Sequence, residues 1–254
     1  MRLYGVLLLL LFIDFGRSLP AQNYVEKDPE LSAGYVEGDM VLNSRQRNGL
    51  RDEVWRWPNN TVYYKFFTVF DEDHHNYILR GMEIIEEISC IRFKEADAST
   101  PNYVNITGFV GGCYSEVGWL NEGAQAYNLE IYALDTGCFR LGTIVHEFLH
   151  TLGFFHMQSA TNRDDYVHIV EGNIDPRNLH NFNKYNETQV NDFDQEYDYG
   201  SVLHYGPKAF SINGEDTIIP LYANEAAGSM GQRLRMSEKD INKLNLMYRC
   251  PIEI

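Results

Sequence analysis

The run from His146 to His156 constrains this chain more than any other part of its sequence. It reads His-Glu-Phe-Leu-His-Thr-Leu-Gly-Phe-Phe-His. Residues four apart share one face of a helix, so His146 and His150 can present two imidazoles to one ion, with Glu147 beside them. Gly153 can leave the helix through a positive φ and bring His156 to the same point. Three histidines and a water molecule form a catalytic zinc site.

The residues around this run favour a buried metal site over isolated histidines. Two histidines four apart also occur by chance in helices, where they are solvated or packed in a core. The added glycine and third histidine favour metal binding. The flanking positions are apolar nearly all round, which is typical of a helix inside a large core: Leu141, Ile144, Val145, Phe148, Leu149 and Leu152. Buried imidazoles need polar partners, and a metal ion supplies one.

The first 47 residues are predicted to be removed in two steps. Residues 1–18 resemble a secretory signal peptide, because the apolar run from Tyr4 to Ile13 is too short to span a bilayer and small residues follow it. Residues 19–47 are polar and end in Arg45-Gln46-Arg47, a site that trypsin-like proteases cut. We therefore expect a propeptide, an activating trypsin-like protease, and a secreted, extracellular product without a membrane span. The remaining body, residues 48–254, has the size of one domain.

The cysteines and sequons agree with export. The four cysteines fit two disulfides in an oxidising compartment, with three connectivities open and buried free thiols as the alternative: Cys90, Cys113, Cys138 and Cys250. Three sequons are candidate glycosylation sites: Asn59, Asn105 and Asn186. The formal net charge of -15 argues against nucleic acid as a partner.

The periodicity of apolar residues predicts an α+β lobe followed by an irregular lobe, with zinc between them. Strands are predicted over 61–67, 91–93, 103–109 and 129–133, and a helix with one apolar face over 78–88. The helix carrying His146 follows. After His156 regular patterns fade until Ser237, an N-cap that introduces a last helix. Its expected buried side chains are Ile241, Leu244, Leu246 and Met247.

Several separate motifs together resemble the astacin family of zinc endopeptidases. They are residues 142–156 with 162–167, residues 197–205, Gly231-Gln232-Arg233, and residues 247–250, in the order found in that family. The resemblance implies a two-lobed zincin-type fold, with a mixed β-sheet and the active-site helix in the N-terminal lobe, an irregular C-terminal lobe, and zinc in the cleft. Residues 48–254 would form the catalytic domain, which hydrolyses polypeptide substrates.

The resemblance also implies roles for particular residues. One Zn²⁺ would be bound by His146, His150 and His156, and Glu147 would activate the zinc-bound water. The phenol of Tyr205 would stabilise the oxyanion. Residues 36–40 are similar to the family's propeptide motif, so Asp39 would ligate zinc in the latent form only. Disulfides would join Cys90 with Cys250 and Cys113 with Cys138, and substrates would lie along an edge strand with residues 113–125 near the rim.

Two departures from the family pattern keep alternatives open. The glutamate that usually follows the third histidine and receives the freed N-terminus is Met157 here, so an ammonium at Asn48 lacks that partner unless Gln158 replaces it. Leu203 replaces a methionine of similar volume in the turn below the metal. The alternative function is a catalytically impaired zinc-binding extracellular protein that binds or inhibits without turnover. A structural extracellular protein is a weaker third possibility.

Overall fold

The computed structural model describes residues 28–42, 53–224 and 226–251. The predicted signal peptide, residues 19–27 of the predicted propeptide, and the predicted cut site at Arg47 lie outside the described residues. The described strands and α-helices are β1 (Met40–Val41), β2 (Thr61–Phe66), α1 (Glu72–Ile88), β3 (Arg92–Glu95), β4 (Tyr103–Thr107), β5 (Cys113–Glu116), β6 (Ala124–Leu129), α2 (Leu141–Thr151), β7 (Val167–Ile169), β8 (Ile218–Pro220) and α3 (Glu238–Met247).

Short 3-10 helices connect these elements. They are Glu53–Trp55, Pro58–Asn60, Gly137–Phe139, Met157–Ser159, Arg163–Asp165, Glu171–Asn173, Pro176–Phe182 and Ala227–Ser229. None of the described helices is long and apolar enough to span a bilayer.

Six of the described strands form one mixed sheet in the order β1-β5-β6-β4-β2-β3. Strands β2, β3, β4 and β6 pair in parallel, whereas β5 runs antiparallel to β6. Strand β1 comes from the predicted propeptide and pairs in parallel with the outer edge of β5, with Met40 opposite Ser115. Without β1, therefore, β5 would be the edge strand beside the cleft.

Helix α2 is held between α1 and the sheet. Residues Gly142 to Thr151 are all buried. At Gly81, α1 approaches so closely that a Cβ atom placed there would lie 2.4 Å from Cγ2 of Ile144. On the other side the Tyr127 hydroxyl donates to the Ile144 carbonyl over 2.9 Å. These contacts fix the position of the helix that carries two of the three histidines.

The second lobe consists mostly of turns, with β7 and β8 as an antiparallel pair. Its core is rich in tyrosine: the rings of Tyr166 and Tyr197 stack with centroids 4.9 Å apart. The Arg163 guanidinium donates to the carbonyls of Gln158 and Phe182 over 3.1 and 2.6 Å. Since few strand hydrogen bonds exist in this lobe, ring packing and bonds from side chains to the backbone replace them.

Helix α3 begins with a capping box that also supports the site. The Ser237 hydroxyl accepts from the Asp240 backbone N–H, as the sequence predicts for an N-cap. The Asp240 carboxylate also accepts from the Ser201 hydroxyl over 2.6 Å and from the Val202 N–H over 2.9 Å. This carboxylate therefore joins α3 to the turn below the histidines.

Two disulfides close the fold, and their pairs are those implied by the family resemblance. Cys90 to Cys250 connects the chain after α1 to the chain after α3, across 160 residues. Cys113 to Cys138 connects β5 to the turn before α2, across 25 residues. The second bridge fixes the strand beside the cleft to the start of the histidine helix.

The α+β class, the mixed sheet and the histidine helix are confirmed, but two local predictions are wrong. The strand predicted over 129–133 instead ends at Leu129, because its partner β4 already ends at Thr107, which pairs with Asn128. Leu246 is exposed over 49% of its surface. Asp240 and Lys243 occupy part of the buried face of α3 and thereby turn Leu246 towards solvent.

The close crossing at Gly81 leads to a stability prediction. Replacing Gly81 by Ala should lower the free energy of unfolding by about 1–3 kcal/mol, because the added methyl collides with Ile144. This cost exceeds the gain in helix propensity of about 1 kcal/mol. In an Ile144→Ala background the same substitution should become stabilising. Denaturant unfolding of the parent, the two single variants and the double variant measures both effects. Gly172→Ala is the control, because the added methyl there meets no atom within 4 Å. A destabilisation equal in both backgrounds would contradict the proposed collision.

Candidate metal centre

Three imidazoles converge at the end of α2. His146 and His150 lie one turn apart on the helix, and Gly153 then adopts a φ of 102° that reverses the chain. Nε2 of His146 lies 3.0 Å from Nε2 of His150 and 3.3 Å from Nε2 of His156. The ligating atoms of a tetrahedral zinc ion, at Zn–N distances of 2.0–2.1 Å, are about 3.3 Å apart. The spacing of the three nitrogens therefore fits one ion.

A carboxylate from residues 28–42 completes this group. Oδ2 of Asp39 lies 3.2 Å from Nε2 of His146 and 3.3 Å from Nε2 of His156, and Oδ1 lies 3.6 Å from Nε2 of His150. All four side chains are buried, and their ligand atoms lie within 4.8 Å of one another. Three nitrogen donors and one carboxylate oxygen are a donor set suited to zinc.

Each imidazole is oriented through its other nitrogen. Nδ1 of His146 lies 2.8 Å from the Val202 carbonyl, and Nδ1 of His150 lies 2.7 Å from the Phe154 carbonyl. A carbonyl only accepts, so these Nδ1 atoms donate and leave Nε2 free to bind a metal. Nδ1 of His156 instead has a charged partner, the carboxylate of Glu37.

Glu147 lies beside the centre without any hydrogen bond. It is fully buried, and neither carboxylate oxygen has a hydrogen-bond partner among the described residues. Burial, and then the negative charges of Asp39 and Glu30, raise the pKa of Glu147 well above its usual range. A buried carboxylate without a partner is a candidate proton acceptor for a ligand in the cleft.

Tyr205 lies against the third histidine. Its ring centroid is 4.8 Å from that of His156, and its hydroxyl donates to the Glu37 carbonyl over 2.5 Å. Burial and the charges of Glu37 and Asp39 raise the pKa of this phenol, so it remains a donor. The Tyr205 hydroxyl is therefore already bonded to the backbone of residues 28–42 and cannot donate to another group.

Glu37 and Glu30 are site residues that the sequence interpretation missed. Oε2 of Glu37 lies 2.9 Å from Nδ1 of His156. Glu30, only 1% exposed, contacts Arg233 over 2.6 Å and accepts from the Thr143 hydroxyl over 2.7 Å. Burial raises the pKa of Glu30, but Arg233 and other cations together lower it to about 2. The only sequence signal for Glu37 was its place beside Asp39, and none singled out Glu30.

Met157, where the family usually has glutamate, faces a buried lysine. Nζ of Lys243 lies 3.4 Å from the Met157 sulfur, and both residues line a cavity of about 340 Å³ together with Arg56 and the acids Asp192 and Asp194. Burial lowers the pKa of Lys243, and the nearby aspartates counteract this in part. A cation from α3 therefore lies beside position 157.

Gln158 and Leu203 are both buried near the metal centre. Oε1 of Gln158 lies 3.4 Å from the Tyr205 backbone N–H, and its Nε2 has no partner among the described residues. The Leu203 carbonyl accepts from the Met157 N–H over 3.1 Å. Gln158 therefore points towards Tyr205, and Leu203 lies in the turn below the histidines as an apolar side chain.

The three sequons lie at sites of different exposure. Asn59 and Asn186 are exposed, whereas Asn105 is half-buried within β4 between two neighbouring strands. Asn186 also accepts from the Thr188 hydroxyl over 2.5 Å. Exposure therefore favours Asn59 and Asn186 as acceptors over Asn105.

A buried centre of three histidines on a helix and its turn, with an unpaired glutamate beside it, is typical of a zinc-dependent metallopeptidase. The family model described as Astacin, a peptidase family, matches residues 49–249. The chain belongs to the astacin family, whose members are zinc-dependent. It is a metalloendopeptidase that acts on polypeptides.

Named relatives support this assignment. The chain is 50% identical over 230 residues to Seminal metalloprotease 1 of Drosophila melanogaster, covering 89% of this chain and 90% of the relative. It is 36% identical to Meprin A subunit beta of Mus musculus, covering 90% of this chain and 31% of the relative. The solved structure of High choriolytic enzyme 1, a hatching enzyme zinc-protease from Oryzias latipes, matches with a TM-score of 0.68 and 31% identity, covering 83% of this chain and 99% of that chain.

The buried lysine leads to a prediction about stability and pH. Replacing Lys243 by Met should raise the free energy of unfolding near pH 7 by about 1–2 kcal/mol, because a desolvated cation is exchanged for an apolar side chain of similar length. The pKa of Lys243 is lowered from 10.5 in the folded state. The unfolded chain therefore binds more protons below that pH, and the parent protein should gain stability as pH rises.

The difference in free energy of unfolding between Lys243→Met and the parent should accordingly shrink as the pH approaches 10.5, the usual pKa of lysine. Urea unfolding at several pH values measures it. Lys239→Met on the same helix is the control, because Lys239 is partly exposed and forms a surface ion pair with Glu196 at 3.3 Å. A loss of stability in Lys243→Met would show that the buried ammonium is favourable.

Proposed function

We propose that this chain is a secreted zinc endopeptidase made as a zymogen, with its metal held by His146, His150 and His156. The observation that carries this proposal is that Nε2 of His150 and Nε2 of His156 lie 3.0 and 3.3 Å from Nε2 of His146, beside the unpaired carboxylate of Glu147. Zinc bound there supplies a Lewis acid that polarises a peptide carbonyl and lowers the pKa of a water molecule.

In this proposal the protein's own groups move the protons and stabilise the charge. Glu147 takes a proton from the attacking water and passes it to the departing amine, because its buried carboxylate has no hydrogen-bond partner that would compete for the proton. Once the Glu37 carbonyl is gone, the Tyr205 hydroxyl is free to donate to the carbonyl oxygen as negative charge develops on it. Tyr205 is therefore a candidate for the oxyanion donor.

Residues 19–47 act as the inhibitory segment. Support comes from four contacts: Asp39 among the imidazoles, β1 along β5, the Glu37 carbonyl on Tyr205, and Glu30 on Arg233. The carboxylate of Asp39 occupies the position that a nucleophilic water needs. Strand β1 covers the edge along which a peptide substrate would extend.

Activation requires a cut near Arg47 by a trypsin-like protease, followed by release of the segment. The apolar run at residues 4–13 and the two disulfides support export to an oxidising compartment. Since Met157 carries no charge and Lys243 lies beside it, we propose that the freed N-terminus is not bound at position 157. No described contact favours a binding protein without turnover, because the glutamate and the tyrosine are both at the centre.

Removing the proton acceptor should abolish activity. In the mature protein Glu147→Gln should lower kcat/KM on a fluorogenic peptide by about 10²–10⁴, because no nearby group replaces the base. Zinc content should stay at one ion per chain, since the three histidines remain. Glu95→Gln, on the exposed strand β3, is the matched control. Undiminished hydrolysis by Glu147→Gln would refute the proposed mechanism.

Removing the Asp39 carboxylate should release activity from the uncut chain. Asp39→Ala in full-length protein, kept intact by Arg47→Gln and checked by mass spectrometry, should hydrolyse a small peptide while the Arg47→Gln parent does not. Activity should rise further when Glu30→Gln is added, because the contact to Arg233 is then weakened. If the intact Asp39→Ala protein is as inactive as its parent, Asp39 is not the switch.

A further inference from the structure

Glu37 contacts the metal centre through the third histidine. Its carboxylate is buried, with the residue 2% exposed, and Oε2 lies 2.9 Å from Nδ1 of His156. Burial, and then the negative charge of this carboxylate, raise the pKa of the Tyr185 phenol. The corresponding nitrogens of His146 and His150 face backbone carbonyls of the catalytic domain, Val202 and Phe154. His156 is thus the histidine whose orienting partner is charged and comes from the propeptide.

The backbone at this position is held in an unusual conformation. Glu37 has a φ of 51°, a left-handed conformation that costs a residue with a Cβ atom about 1–2 kcal/mol. Its N–H donates to Oδ1 of Asn181 over 2.9 Å, and its carbonyl accepts from Tyr205. Glycine would suit this backbone better but would lack the carboxylate. The contacts of Glu37 therefore compensate for the strain and direct its side chain to His156.

A carboxylate on Nδ1 changes how an imidazole binds a metal. It fixes the tautomer that leaves Nε2 unprotonated and raises the basicity of that nitrogen. A negative charge at this place also favours a cation at Nε2, and here the carboxylate is shielded from water, so the interaction is strong. Both effects act on metal affinity and do not require contact with the substrate.

We propose that Glu37 is a positioning residue that raises the zinc affinity of the latent chain through His156. The propeptide then completes the metal centre as well as blocking it: Asp39 supplies a ligand, and Glu37 supplies the orienting charge. Removal of the propeptide takes away both groups, so the mature enzyme holds its metal more weakly than the zymogen does. This inference rests on the proposed function, in which the three histidines bind zinc and residues 28–42 belong to a removable segment.

The test is the zinc affinity of the full-length, uncut protein, measured by competition with a chelator. Glu37→Gln keeps the size of the side chain and an oxygen that can accept from Nδ1, but removes the charge. Loss of such an orienting partner lowers metal affinity about 10- to 100-fold, and we expect a decrease in that range. Cobalt-substituted protein should show a shift of its visible absorption bands in the same variant.

Glu30→Gln is the matched control. Glu30 belongs to the same segment and is equally buried, but it contacts Arg233 and Thr143 and touches none of the three histidines. Its substitution loosens the segment without changing His156. We expect its zinc affinity to fall less than that of Glu37→Gln, and its cobalt spectrum to match that of the parent, because Glu37 still contacts His156 while the segment is bound. An equal loss of affinity in Glu30→Gln and Glu37→Gln would overturn the proposal, because general loosening would then explain both.

The mature protein provides a second comparison. After removal of residues 1–47, the parent and the Glu37→Gln chain have the same sequence, so any difference in affinity must vanish, and both should bind zinc more weakly than the latent parent. A latent Glu37→Gln protein that binds zinc as tightly as the latent parent would refute the role of Glu37 while leaving the zymogen proposal intact. A parent chain that binds no zinc would instead refute the proposed function.

Discussion

The convergence of three imidazole nitrogens in a buried place is the constraint on which the rest of this structure depends. Nε2 of His146 lies 3.0 Å from Nε2 of His150 and 3.3 Å from Nε2 of His156, and unprotonated nitrogens this close repel one another unless a cation lies between them. Water cannot screen this repulsion, because His146 and His150 are fully buried. Backbone carbonyls orient the rings of His146 and His150. The packing of α2 against α1 and the sheet, and the bond from the Val202 N–H to the Asp240 carboxylate, keep these groups in place. The metal centre is therefore a property of the whole core and not of one helix.

Residues 28–42 form part of the same core in the described chain. They supply a strand to the sheet, a carboxylate to Arg233, a carboxylate to His156, and Asp39 to the centre itself. Two of these groups are glutamates on the inside of the protein, where a carboxylate is stable only with a hydrogen-bonded or charged partner. The partners lie outside residues 28–42, so the contacts that hold this segment in place also complete the group of side chains around the imidazoles.

How far the sequence predicts this structure varies with the range of the interactions involved. The histidine helix, the turn at Gly153 and the N-cap at Ser237 are confirmed, because each depends on neighbours within a few residues. The family resemblance, which rests on several separated motifs, implied the fold class correctly. Strand β5 was missed, and the strand predicted over 129–133 was misplaced. A strand's limits depend on its partner, and periodicity along one segment contains no information about where the partner ends.

The sequence by itself determined the chemistry of the centre: three histidines and a glutamate at a spacing that one helix and one turn convert into a metal site. Only the tertiary structure decided what surrounds it. Lys243 reaches Met157 across 86 positions in the chain, and Glu37 reaches His156 across 119. Such pairs share no local pattern, because their contact is created by the packing of α3 and of residues 28–42 against the cleft. These neighbours of Met157 and of the third histidine are therefore visible only once the chain is folded.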